Sequence, residues 1–207
     1  MSVIVFVIGE SGTGKSTSMR NCNPAKWGVI NVSGKPLPFK SKLNVFNTDN
    51  YDKIKSVLSK ATAKSIVIDD SQYLMVNAFM RRTDKGYDKF TELAQAHWGL
   101  IDFVARNLPN DKIVYLMSHI ERDTLGNEKV KTVGKMLDQF VTLEGLATIV
   151  LKTKVSDGKY FFTTQNSGFD TVKTPMGMFE DAEIDNDLQM VDDRIREYYE
   201  LDGGNKE

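Results

Sequence analysis

Apolar positions along this chain fall into two rhythms, and their alternation predicts the fold. Val3 to Ile8 is apolar without interruption, as expected of a strand covered on both faces. Trp27 to Val32, the run ending at Asp69-Asp70, and Lys112 to Met117 are further strand candidates, whereas Leu43 to Phe46 is too brief to assign. Between them the period lengthens to that of helices. A short helix is expected over Ser16 to Asn21, and Asn50 caps another reaching about Ala61, with Ile54, Val57, Leu58 and Ala61 on one face. Two more follow, Tyr73 to Arg82 and, after the Asp84-Lys85-Gly86 break, Tyr87 to Leu108. In the latter His97 shares a face with Phe90, Ala94, Ile101, Ala105 and Leu108, so it reads as a packed residue and not a ligand.

Beyond Ser118 the pattern turns to hairpins. Ile120 to Thr124 and Glu128 to Val133 flank Leu125-Gly126-Asn127, while Leu146 to Val155 and Lys159 to Thr164 flank the Asp157-Gly158 turn signal. A short helix is expected over Gly134 to Phe140. An amphipathic one carries Ile184, Leu188, Val191, Ile195 and Tyr198. The expected fold is α/β, a mostly parallel central sheet flanked by helices with β-hairpins added towards the C-terminus. Its domain organisation is a single domain over residues 1–201 with a fraying tail at 202–207.

Composition narrows the class. With 207 residues and 41% hydrophobic content the chain suits one sizeable core. Its formal charge of −1 excludes a globally basic protein, so nucleic-acid contact requires a local patch. Lysines gather at positions 35, 40, 42, 53, 55, 60 and 64, and acids gather beyond Phe179. Cys22, the single cysteine, reads as a buried filler in a reducing compartment. The apolar start lacks a basic leader and no stretch approaches membrane-spanning length, so a cytoplasmic location with no membrane partner is expected.

The chemistry is concentrated in Gly9-Glu10-Ser11-Gly12-Thr13-Gly14-Lys15-Ser16, the spacing G-x-x-x-x-G-K-[ST], placed between a buried strand and a helix. Such a loop cradles the phosphates of a nucleotide, so Gly9 to Ser16 with Thr17 form the expected binding set for ATP. Lys15 would reach the outer phosphates, and Ser16 would offer its hydroxyl to Mg2+. Ser65 to Asp70 is an apolar strand ending in two carboxylates: Asp69 is the expected second metal residue and Asp70 the expected base. A turn or helix cap is the other reading of that pair. Ser118-His119 ends another strand, where His119 can touch the terminal phosphate or simply face solvent.

These motifs, with Gly34-Lys35-Pro36-Leu37-Pro38-Phe39, Val67 to Met75, Lys131-Thr132-Val133-Gly134-Lys135-Met136-Leu137 and Asp170 to Phe179, resemble the phage-encoded RecA-like P-loop ATPases of the Sak type. The resemblance covers most of the chain up to about Phe179. It implies a P-loop NTPase with a RecA-like core, ATP-dependent binding of single-stranded DNA, annealing or strand pairing in recombination, a homo-oligomer, and a single-strand-binding protein as partner. It also implies the cytoplasm of a host cell. One position departs from RecA relatives, which commonly carry a catalytic glutamate at the tip of the second strand. Here that tip reads Asn31-Val32-Ser33-Gly34.

Lys131 or Lys135 is expected to reach the terminal phosphate from a neighbouring subunit, with surface lysines on a turn as the alternative. Lys129, Lys152 and Lys154 are candidates for DNA phosphate contacts, and Phe161 or Phe162 for base stacking. Two rival functions stand beside a slow or DNA-stimulated ATPase. One is a nucleotide-gated interaction module for replication or packaging with little hydrolysis. The other is a small-molecule kinase, disfavoured because Arg122 is the only arginine between Asn107 and Ile184.

Overall fold

The computed structural model describes residues 1–83, 86, 88–134, 137 and 141–203. Its frame is one eight-stranded sheet in the order β10-β9-β8-β1-β5-β4-β2-β3. The strands are β1 (Val3–Ile8), β2 (Trp27–Asn31), β3 (Asn44–Asn47), β4 (Ser65–Asp69), β5 (Ile113–Ser118), β8 (Ile149–Ser156), β9 (Lys159–Thr163) and β10 (Glu183–Asp185). From β8 to β3 every neighbour is parallel, and β9 and β10 are antiparallel additions at one edge. A separate two-stranded ribbon pairs β6 (Ile120–Arg122) with β7 (Glu128–Val130). The fold is therefore α/β with a mostly parallel mixed sheet.

Alternation along β1 explains why the sheet is covered on both sides. Ile4, Phe6 and Ile8 join one apolar cluster with α1 (Tyr51–Lys60), α2 (Tyr73–Met80) and α3 (Asp88–Asn107). Val5 and Val7 join the other, with Met19, Trp27 and Leu188, Val191 and Ile195 of α4 (Leu188–Tyr198). The Asn50 carboxamide caps α1 by accepting from the Lys53 N–H. His97 is buried in α3 with Nδ1 3.2 Å from the Tyr51 hydroxyl, and burial pushes its pKa down to about 4. Cys22 is a buried free thiol.

Several boundaries differ from the pattern-based expectation. Ile184 lies in β10 and not in the terminal helix, because β10 pairs with β9 through Ile184 and Phe162. The helix after the glycine-rich loop is a six-residue 3₁₀ helix, Ser16–Asn21, so its dipole is small. Leu43 gives way to Asn44–Asn47 as an edge strand, and a second 3₁₀ turn forms at Leu143–Leu146. The expected helix from Gly134 to Phe140 falls mostly outside the described residues, as do positions 204–207 of the tail.

The terminal helix is fastened to the sheet by a buried polar network. Asp192 accepts from Ser65, from Tyr115 and from Arg196, and the Arg196 guanidinium also donates to Ser65 and to the Asp111 carbonyl. Both charged side chains are almost fully buried, so removing one strands the other. Arg196→Leu should lower stability by about 3–5 kcal/mol; urea unfolding of the two chains checks this.

Candidate functional site

The parallel sheet brings the carboxyl ends of β1, β2, β4 and β5 to one edge, and the side chains singled out by motif meet there. A cleft of about 390 Å³ is lined by Gly12, Gly14 to Thr17, Ser33, Lys35, Asp69, Asp70, Tyr73, His119 and Tyr160, among others. The loop leaving β1 is shaped by its glycines. At Gly9 a Cβ would lie 2.0 Å from the Thr153 hydroxyl oxygen, and at Gly14, with φ +95°, it would lie 2.8 Å from the Tyr160 ring.

Lys15 folds across this loop, its ammonium donating to the Gly9 carbonyl at 2.9 Å and the Glu10 carbonyl at 2.8 Å. Burial lowers its pKa to about 8, against the attraction of Asp70, Asp69 and Glu10. Ser16 donates to Asp69 Oδ1 at 3.0 Å. These two side chains come from elements separated in the sheet by β5. A hydroxyl and a carboxylate at this spacing form part of an oxygen donor set for a small hard cation. Among the described residues no group of three or more His, Cys, Asp or Glu side chains could hold a metal alone.

The adjacent carboxylates differ in environment. Asp69 is buried, and desolvation together with the charge of Asp70 pushes its pKa up to about 6, partly offset by Ser16 and Lys15. Asp70 is also partly desolvated, yet the polar groups of His119 and Ser33 beside it and the charge of Lys35 hold it below the ordinary carboxylate value. His119 Nε2 is 3.6 Å and Lys35 Nζ 4.0 Å from its carboxylate. Asp70 has φ 59°, a left-handed conformation that costs energy for a residue with a Cβ and that turns the chain sharply into α2.

Ser33, Lys35, Tyr73 and Tyr160 line the cleft without having been singled out as ligands. The Gly34 to Pro38 loop reaches the same cleft, where Lys35, Pro36 and Pro38 stand in the wall. Asn31 organises it, accepting from the Gly34 N–H at 2.9 Å and from Ser33, and donating to the Lys35 carbonyl at 2.6 Å. Thr17 lines the cleft, as do Ser11 and Gly12. Ser118 is buried against Ser71, hydroxyl to hydroxyl at 2.6 Å, leaving His119 as the strand-tip group that faces the cleft.

Other expected participants lie elsewhere. The Glu10 carboxylate pairs with Arg122 at 3.0 Å, and the Thr13 hydroxyl bonds the Glu10 carbonyl and Thr153. Neither lines the cleft. Lys131 is exposed, its backbone N–H held by the His119 carbonyl at 2.8 Å, whereas Lys135 lies outside the described residues. Lys129, Lys152 and Lys154 are paired with Glu121, Glu128 and Glu183. Phe162 is fully buried in the sheet core, so it is not a stacking surface, and Phe161 is half-buried.

A scan against protein-family models and a search of curated proteins return no match to this chain. Among the described residues, no helix is long and apolar enough to cross a membrane.

The raised pKa of Asp69 fixes a pH signature. Its folded-state value lies above the ordinary 3.8, so the folded chain keeps a proton that the unfolded chain has released. The contribution to stability is therefore full below 3.8 and is lost as pH rises through about 6. Asp69→Asn removes that loss and should stabilise the ligand-free chain at pH 7 by on the order of 2 kcal/mol. Urea unfolding at pH 4, 5, 6 and 7 measures both the gain and the flattened slope.

Proposed function

We propose that the chain is a P-loop NTPase with a RecA-like core that binds ATP with Mg2+, hydrolyses it, and uses it in recombination work on single-stranded DNA. The observation that carries the nucleotide reading is the 3.0 Å contact between Ser16 and Asp69, which unites the two separate motifs across an intervening strand. A chance glycine-rich turn has no reason to meet a buried strand-end carboxylate. The cleft's two cations, Lys15 and Lys35, and its tight glycine positions fit a polyphosphate.

In this reading Lys15 exchanges its carbonyl partners for phosphate oxygens, whose negative charge favours the ammonium form against the desolvation that lowers its pKa. Ser16 and Asp69 would hold the divalent ion, whose chemistry when bound would be to neutralise charge on the outer phosphates. Asp70 stays ionised at neutral pH through His119, Ser33 and Lys35 and accepts the proton of the attacking water. His119 is positioned to respond to a terminal phosphate because it touches Asp70 and lines the same cleft. Lys131 or Lys135 supplies a cation to the same phosphate from a second copy of the chain. The DNA substrate, the homo-oligomer and a single-strand-binding partner rest on the motif resemblance alone.

A nucleotide-gated module with little turnover is favoured by one specific observation: Asn31, and not a carboxylate, occupies the tip of β2, paired in register with Asp69. Turnover measured with and without single-stranded DNA separates the two, since only the recombination reading expects stimulation.

Lys15→Ala and Asp69→Ala should each weaken Mg2+-ATP binding by about 2–5 kcal/mol, since each leaves charge unpaired in a partly buried site. Asp69 must shed its proton to hold the ion, so wild-type affinity should fall as pH drops through about 6. Titration calorimetry at pH 5, 6 and 7.5 tests both; unchanged heats for Lys15→Ala would exclude the nucleotide reading.

A further inference from the structure

The cleft has two ends, and only one of them is accounted for by phosphate and metal chemistry. In the sheet order, β4 and β2 lie on one side of β1 and carry Asp69, Asp70 and the Ser33-Lys35 loop. On the other side of β1 lie β8 and β9, and there the wall is Tyr160. A triphosphate running along the loop with its terminal group at Asp70 and His119 has its nucleoside directed towards Tyr160.

A second observation lies beside that wall, at a residue that does not itself line the cleft. Asn186, just after β10, is 2% exposed, and among the described residues neither its side-chain nitrogen nor its oxygen has a hydrogen-bond partner. Leaving both halves of a buried carboxamide unpaired is costly, and such groups are uncommon without a purpose. Its backbone is fully employed: the N–H donates to the Tyr160 carbonyl at 3.3 Å and the carbonyl accepts from Arg20 at 2.5 Å. Over Gly14, a single point occupied by the missing Cβ is 2.8 Å from Tyr160 Cδ1, 3.2 Å from Asn186 Oδ1 and 3.4 Å from Asn186 Nδ2. The ring and the idle amide thus converge on the glycine of the phosphate loop that precedes Lys15.

We infer that Tyr160 and Asn186 form the nucleobase subsite of this cleft and select adenine, the Tyr160 ring stacking on the base and the Asn186 carboxamide pairing with its edge. The inference rests on the nucleotide reading above and adds which end of the ligand decides specificity. Tyr160 is 46% exposed and lines the cleft, which leaves nearly half of its surface open to a base. On its N7 edge adenine presents a donor beside an acceptor, the complement of a carboxamide, where guanine presents two acceptors. Asp187 and Asn21 keep the segment in place through a 2.6 Å hydrogen bond, so the amide is presented by the same contact that docks α4 on the 3₁₀ helix.

The experiment compares Mg2+ complexes of ATP, GTP and inorganic tripolyphosphate by titration calorimetry. Wild type should bind ATP at least about tenfold more tightly than tripolyphosphate, the scale of one base stack. Tyr160→Ala should erase that margin while leaving tripolyphosphate affinity unchanged, and Tyr160→Phe should keep it. Asn186→Leu should bring ATP and GTP to equal affinity; should that variant unfold early in a thermal scan, Asn186→Asp, which preserves size but removes the donor, should do the same. Equal binding of ATP and tripolyphosphate by wild type, or an ATP-to-GTP ratio unmoved by the Asn186 variants, overturns the base subsite with the phosphate site intact. Failure of wild type to bind any of the three overturns the nucleotide reading itself, and the base subsite with it.

Discussion

The hydrogen bond from Ser16 to Asp69 is the contact on which the site depends, because it can form only if the sheet is built in this order and this direction. Ser16 follows the loop leaving β1, and Asp69 ends β4, with β5 between the two strands. Parallel pairing places all three strand ends at one edge, and the register Val67 to Tyr115 to Val5 keeps them level. Every residue of β4 and β5 is buried, so a one-residue slip would exchange the differently shaped side chains of two packed layers and carry Asp69 out of level with Ser16. The apolar runs that build the core therefore also set the spacing between a hydroxyl and a carboxylate at the edge.

Two neighbouring carboxylates with opposite pKa displacements are the electrostatic consequence. Asp69 is desolvated and repelled by Asp70, which raises its value. Asp70 turns out of the strand through its left-handed backbone and meets His119, Ser33 and Lys35, which lower its value. When environment separates a pair in this way, the two groups are suited to different work. In the proposed reading the group that carries its charge at a cost is the one relieved by a cation, and the group that stays ionised is free to take a proton.

Most of this frame was legible in the chain because the signals were local. The buried strands announce themselves by uninterrupted apolar runs, α1 by Asn50 and its spacing, and the β8–β9 hairpin by Asp157-Gly158, whose residues have φ 52° and 72°. What was not legible depended on tertiary contact. Glu183–Asp185 has too few apolar residues to read as a strand and forms one only because β9 offers an edge. Ser33 and Lys35 enter the site because Asn31 bends their loop, a use of a carboxamide that no spacing rule encodes. Tyr160 and Phe162 share one face of β9, two residues apart, and only their position along the strand decides that Phe162 is buried in the core while Tyr160, near the start of the strand, flanks Gly14. The lysines expected to contact DNA are likewise indistinguishable in sequence from lysines paired with Glu121, Glu128 and Glu183.

In the proposed reading, the amide at the tip of β2 is where one residue would shift the balance between gating and turnover. Asn31 stands beside Asp69 in the parallel register, and its side chain makes bonds of both polarities with the following loop. A carboxylate there would accept from the Gly34 N–H but could not donate to the Lys35 carbonyl, so the loop carrying Ser33 and Lys35 would lose one of its supports. It would also place a third negative charge beside two that already repel, raising Asp69 further and making the site harder to ionise without a cation. In the proposed reading the supported loop carrying Lys35 takes the place of a second carboxylate, and Asp70 is the acid that activates water. In that reading a base flanked by His119 and by the 70% exposed Lys35 suits slow hydrolysis, in which the bound nucleotide persists long enough to act as a conformational ligand.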